Sequence, residues 1–310
     1  MSLAALASTH PRVFDRGIQL DRAPASAWLA LQAAALMPTW LWMAARLRDG
    51  SDDPLGLLAL AALVVLTWTL RRDLRPAPRL GWLALATSGT FAATVLRTGA
   101  GIVPALPPLA AGLLAVLALA CGLIAFLPRR IAALPVAGLS VLALPLLSSL
   151  QFYAGYPLRI VTAEASRWLL APLFDVTREG SSLVVDGHLV IVDAPCSGAQ
   201  MVWLGYFTAC VVALWARRDD RGFLARLPAV GLLVMAGNIV RNSLLIGFEG
   251  AGHALAPALH EALGLALLAL LCGGIAWVMA RAPKPREHHV ARTIPGLITT
   301  DGGRRVDTAL

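Results

Sequence analysis

LPPLAAGLLAVLALACGLIAFL, from Leu106 to Leu127, is a run of 22 residues without one charged side chain, closed by Pro128-Arg129-Arg130. As a helix rising 1.5 Å per residue it would be about 33 Å long, enough to cross a hydrocarbon core of about 30 Å. Seven further apolar windows lie outward from it, near 27–45, 54–70, 80–96, 131–150, 198–215, 227–247 and 262–280. The composition of the 310 residues agrees: 58% are hydrophobic and 14% charged, far from a soluble domain of this length. The reading is an all-α polytopic membrane protein of about eight transmembrane helices. It divides into a cytoplasmic N-terminal segment (1–25), helices one to five (26–150), an outer-face loop (151–197), helices six to eight (198–282) and a disordered cytoplasmic tail (283–310). The first 25 residues hold Arg12, Arg16 and Arg22 but no apolar core of a cleavable signal, so the first span is expected to direct insertion.

The arginines orient this chain, because short translocated loops are depleted of Lys and Arg. With the N-terminus inside, 19 of the 26 basic residues fall on the cytoplasmic side, among them Arg71, Arg72, Arg75, Arg79, Arg129, Arg130, Arg217, Arg218, Arg221 and Arg226. Only Arg46, Arg48, Arg97, Arg159, Arg167 and Arg178 fall outside. Both termini are therefore expected in the cytoplasm of a multi-pass inner-membrane protein. The net charge of +8 is then explained by topology and not by affinity for nucleic acid, and membrane lipids are among the expected partners.

The outer loop changes pattern twice. Residues 160–174 mix Trp168, Leu169, Leu170 and Leu173 with Glu164 and Arg167, which suits a short amphipathic helix on the bilayer surface. Leu183-Val184-Val185 and His188 to Val192, joined by Asp186-Gly187, predict a β-hairpin. The hairpin leads straight to Asp193-Ala194-Pro195-Cys196-Ser197-Gly198.

Cys196 is the one cysteine placed to react, since Cys121, Cys210 and Cys272 fall inside spans and read as small apolar core residues. A thiol at a helix start is stabilised as thiolate by unpaired N–H groups and the positive end of the helix dipole. Pro195 suits a first turn, and Gly198 leaves room for another backbone or a substrate carbonyl. Arg241, inside the seventh window, costs about 2.5–3.5 kcal/mol to place in a membrane span. Two readings stand for it: snorkelling to the interface with help from Asn238 and Asn242, or facing the bundle interior with Asn238 on the same face, donating to an oxyanion or to the thiolate.

Two histidines in the next loop compete as proton shuttle, His260 at the mouth of the eighth window and His253 in a glycine-flanked stretch. His188 lies in the hairpin, and His10, His288 and His289 lie in cytoplasmic tails. Cys196, His253 and His260 lack an evident fourth ligand for zinc, so neither a metal nor a cofactor is expected.

Cys196-Ser197-Gly198, Asn238-Ile239-Val240-Arg241 and His260 followed by Gly264 resemble the motifs of the exosortase/archaeosortase membrane transpeptidases, in matching order and spacing over roughly residues 150–280. The resemblance implies an enzyme that cleaves C-terminal sorting signals of secreted proteins, built of a short motif such as Pro-Glu-Pro, a transmembrane helix and a basic tail. It assigns Cys196 as nucleophile forming a thioester, Arg241 as stabiliser of the oxyanion or thiolate and His260 as proton shuttle. Ser197, Gly198, Asn238 and His253 are possible supporting residues, and an envelope acceptor would resolve the thioester. The other class of reading is a polytopic transporter or envelope-assembly subunit in which Arg241 binds an anionic substrate.

Overall fold

The computed structural model describes residues 24–50, 54–98, 106–191, 198–251 and 256–281, and within them the chain is helical apart from one small sheet. The helices are α1 (Ala25–Ala35), α2 (Met37–Arg48), α3 (Leu55–Thr69), α4 (Leu80–Thr98), α5 (Pro108–Phe126), α6 (Ala133–Leu142), α7 (Leu147–Leu170), α8 (Ala199–Trp215), α9 (Asp220–Leu224), α10 (Leu227–Gly250) and α11 (Pro257–Ala280). Between α7 and α8 lie β1 (Val176–Glu179), β2 (Ser182–Val185) and β3 (His188–Ile191).

By length and apolar composition, three segments can each cross a membrane: Pro108–Phe126, Asp220–Phe248 and Ala258–Ala280. A fourth counts if α6 and α7, bent by 93° across their short break, form one span. Six of the apolar windows coincide closely with single helices. The other two are broken: 27–45 divides at Leu36 ahead of Pro38, and 131–150 divides between α6 and α7 around Pro145. Proline lacks the N–H that would continue the ladder, so each break has a local cause. The helix carrying the amphipathic stretch begins already at Leu147 and contains Pro157.

The outward surface is apolar, with Leu80, Phe91, Leu232, Leu270 and Trp277 all exposed, and the chain is embedded in a membrane through it. Inside, close packing rests on small residues, as it must where the hydrophobic effect does not drive helices together. A Cβ at Gly205 of α8 would lie 2.5 Å from Val234 of α10 and 3.3 Å from Ile275 of α11, and one at Gly138 of α6 would lie 2.8 Å from the Cys210 sulfur. Cys210 is buried among these helices, whereas Cys121 and Cys272 are partly buried; all three are free thiols.

Several arginines close helix ends. Arg218 Nε donates to the Met279 carbonyl at 2.7 Å and Arg226 Nε to that of Val278 at 3.1 Å, satisfying the last turn of α11. Arg79 does the same for α5, its guanidinium donating to the Ile124 carbonyl and its N–H to that of Ala125. These caps lie beyond the far end of α8, whose 17 residues rise about 25 Å from Gly198.

The sheet is antiparallel in the order β1-β2-β3, with Val176 opposite Val185 and Val185 opposite His188. Asp186 and Gly187 both have positive φ, 46° and 85°, the conformation an Asp-Gly hairpin turn requires. Strand β1 joins the hairpin to make three strands. Val176, Leu183, Val185 and Val190 form the buried face, packed on Ala163 and Leu170 of α7 and Ile246 of α10.

Candidate active site

Gly198 is the N-cap of α8, with φ +82° and therefore in left-handed backbone. A Cβ there would stand 2.8 Å from both Cγ and Nδ2 of Asn238 and 3.1 Å from its Oδ1, so the amide of α10 lies flat on the glycine. Any L side chain would meet both the strained φ and the amide. The room at Gly198 is thus filled by Asn238.

Asn238 belongs to a buried polar patch between α7 and α10. Its Nδ2 donates to Thr162 Oγ1 at 3.0 Å, and its backbone carbonyl accepts from Asn242 Nδ2 at 2.9 Å. Thr162 and Ser166 of α7 are 0% exposed, and Asn238, Asn242 and Ser243 of α10 are 2–3% exposed. Three polar atoms of this patch have no hydrogen-bond partner: Asn238 Oδ1, Ser166 Oγ and Ser243 Oγ. Arg159, one turn before Thr162, is half-buried with its Nε also unpartnered.

Arg241 follows Asn238 by three residues and so shares its side of α10. It is half-buried, and its guanidinium lies across Gly264 of α11, where a Cβ would be 3.5 Å from Nε and 3.7 Å from Nη2. The side chain thus turns toward α11. His260 stands one helical turn before Gly264 on the exposed first turn of α11, its N–H donating to the Ala256 carbonyl at 3.0 Å. Gly198, Asn238, Arg241, Gly264 and His260 are therefore brought to one end of the helix bundle. Cys196, Ser197 and His253 lie outside the described residues. His188 is exposed at the start of β3.

Glu164 ties α7 to the sheet. Its carboxylate accepts from Arg167 at 2.6 Å, Trp168 at 2.9 Å and, on the other oxygen, Arg178 of β1 at 2.7 Å. The Arg167 and Arg178 hydrogen bonds hold its carboxyl down to about 2, so it is a fixed anion at neutral pH. The strands that lead into residues 192–197 are thereby anchored to the helix that carries Thr162.

Beside this end an apolar cavity of about 330 Å³ opens between the α6–α7 bend and the first turns of α8, walled by Leu146, Tyr153, Val202 and Tyr206. Among the described residues no group of three His, Cys, Asp or Glu could hold a metal ion.

Thr162, Ser166 and Ser243 are the site residues that the sequence reading passes over. A weak signal existed: Thr162 and Ser166 are four apart on one face of an amphipathic helix, as are Asn238 and Asn242 on α10. Nothing in either segment says that the two faces meet.

A family model described as transmembrane exosortase (Exosortase_EpsH) matches residues 42–277. The chain belongs to the transmembrane exosortase family. The match runs from α2 into the last turns of α11 and includes every candidate residue from Thr162 to Gly264. No curated protein and no solved structure matches the chain. This exosortase is a membrane-embedded member of a family of sorting enzymes, and the buried patch behind Gly198 is part of its own architecture.

Proposed function

We propose that this exosortase is a cysteine transpeptidase and protease that cleaves PEP-CTERM-like C-terminal sorting signals from secreted proteins and passes them to an envelope acceptor. The observation that carries the reading is the contact of Asn238 with Gly198. Consecutive Cα atoms are 3.8 Å apart, so chain connectivity alone keeps the Cys196 Cα within about 7.6 Å of that of Gly198, and Gly198 meets Asn238, three residues before Arg241 on α10. The positive end of the α8 dipole and the guanidinium charge of Arg241 both favour a thiolate.

In this reading the Cys196 thiolate attacks the scissile carbonyl, and Arg241 neutralises the tetrahedral oxyanion. The C–N bond then breaks, His260 gives a proton to the leaving amine, and a thioester to Cys196 remains. An amine or hydroxyl of the acceptor attacks that thioester and loses its proton to His260, and the thiolate is released. The apolar cavity of about 330 Å³ beside α8 is the size of a few apolar side chains and offers a contact to one face of the transmembrane segment that follows the motif. We place the site on the periplasmic face and both termini in the cytoplasm, with the outer-face segment 151–197 between the fifth and sixth of about eight spans.

A reporter bearing a motif, an apolar helix and a basic tail tests these roles. Cys196→Ala and Arg241→Ala are expected to reduce cleavage to background while the protein stays in the membrane, and His260→Ala to do far more damage than His253→Ala. Undiminished cleavage in Cys196→Ala overturns the reading, and a worse loss in His253→Ala reassigns the proton shuttle. A transporter or assembly subunit that uses Arg241 to bind an anion would instead tolerate Cys196→Ser.

A further inference from the structure

The orientation of the Asn238 amide is set from a helix far away in sequence. Thr162 on α7 is fully buried and accepts Asn238 Nδ2 at 3.0 Å, 76 residues distant along the chain. With Nδ2 committed to Thr162, the amide lies face-on to residue 198, its Cγ and Nδ2 2.8 Å and its buried, unpartnered Oδ1 3.1 Å from where a Cβ there would stand. A buried acceptor without a donor is costly, so it persists where the surroundings hold it or where it meets a partner in another state. Gly198 is the N-cap of α8, so its backbone sets how the first turn of that helix begins. An amide pressed on Gly198 therefore controls how that helix start is presented, two residues after Cys196.

We propose that Thr162 is a positioning residue for the reaction, acting through Asn238: its hydroxyl fixes the amide plane against Gly198, the N-cap of the helix that follows Cys196. Thr162 is assigned a role through Asn238 and not on the reacting atoms, and that role rests on the transpeptidase reading of Cys196. The strut runs Thr162 to Asn238 to Gly198, from α7 through α10 to α8. Because α7 is also tied to β1 through Glu164 and Arg178, the same helix anchors the chain on both sides of the Cys196 segment.

The hydroxyl and the methyl of Thr162 make opposite predictions, which allows a clean test in the full-length protein in membranes. Thr162→Val keeps the methyl and removes the acceptor, and Thr162→Ser keeps the acceptor and removes the methyl. Two rates are read at equal protein abundance: cleavage of the sorting-signal reporter, and alkylation of Cys196 by an uncharged maleimide, located by peptide mass spectrometry. Loss of one buried hydrogen bond predicts that Thr162→Val slows cleavage about tenfold and slows alkylation of Cys196 in parallel, with Thr162→Ser retaining at least about a third of the parent rates. If Thr162→Val fails to accumulate, Thr162→Ala removes the same hydroxyl without a second methyl and carries the same expectation. Parent-like rates in Thr162→Val, or Thr162→Ser slower than Thr162→Val, would overturn the proposal in favour of packing alone. The transpeptidase reading fails separately: Cys196→Ala that still cleaves the reporter sinks that reading, whereas inactive Cys196→Ala beside unaffected Thr162→Val sinks only the role of Thr162.

Discussion

Helix α4 and the α7–α10 interface hold the same kinds of hydroxyl and treat them in opposite ways. On α4, Thr87, Ser88, Thr90, Thr94 and Thr98 each donate to a carbonyl three or four residues back, so the helix satisfies its own polar groups before it meets anything else. At the α7–α10 interface, Ser166 Oγ, Ser243 Oγ and Asn238 Oδ1 are buried without partners, and Thr162 is engaged across the interface. In a membrane an unsatisfied buried polar group costs free energy that lipid cannot return. Similar polar residues therefore have different meanings: those on α4 are satisfied within their own helix, while those behind Gly198 leave buried polar atoms unpartnered at a cost in stability.

The largest expected effect is at Gly198, where the start of α8 meets the Asn238 face of α10. Gly198→Ala places a methyl 2.8 Å from the Asn238 amide in left-handed backbone that costs an L residue about 1–2 kcal/mol. Reporter cleavage should fall to background even where membrane abundance is kept; parent-like cleavage would show that the contact is dispensable.

A smaller and more diagnostic effect is expected from Ser166→Ala and Ser243→Ala. Removing a hydroxyl that has no partner should leave thermal stability unchanged or raise it by up to about 1 kcal/mol, while cleavage slows several-fold. Loss of stability in step with loss of activity would mean that these hydroxyls are structural and that the contrast with α4 fails.

The smallest effect is predicted on α4 itself. Thr94→Val removes a hydroxyl bonded only to the Thr90 carbonyl, at 2.9 Å, and should change stability by less than about 0.5 kcal/mol and cleavage not at all. A strong loss of cleavage there would extend the site to a helix that this account treats as scaffold.

Much of the frame was legible because hydropathy and turn chemistry are local. Asp186-Gly187 announces its hairpin, since both positions need positive φ, and the windows 198–215 and 227–247 become α8 and α10 with little change. Strand β1 was not legible: Val176-Thr177-Arg178-Glu179 offers one buried residue in four, and its place is fixed by pairing with β2 and by the Arg178–Glu164 ion pair. The break between α6 and α7 was hidden for a related reason, because hydropathy reports that a stretch is apolar and not which way it runs; only Pro145 marked it. For the site, Asn238 and Arg241 stood out by residue type and spacing, while the choice of His260 over His253 rested on the family resemblance. Their support was not legible, because Thr162 meets Asn238 through tertiary packing between segments 76 residues apart.

The central claim is that Cys196, two residues before Gly198 in the chain, is the thiol that processes the C-termini of other proteins. The most direct measurement compares, by mass spectrometry, the C-terminal peptides of envelope and secreted proteins from host cells carrying the parent protein or Cys196→Ser at equal abundance. The account predicts a set of proteins that keep an apolar, basic-tailed C-terminus only with Cys196→Ser, their cut sites in the parent defining the motif. Identical C-termini in the two strains would contradict it.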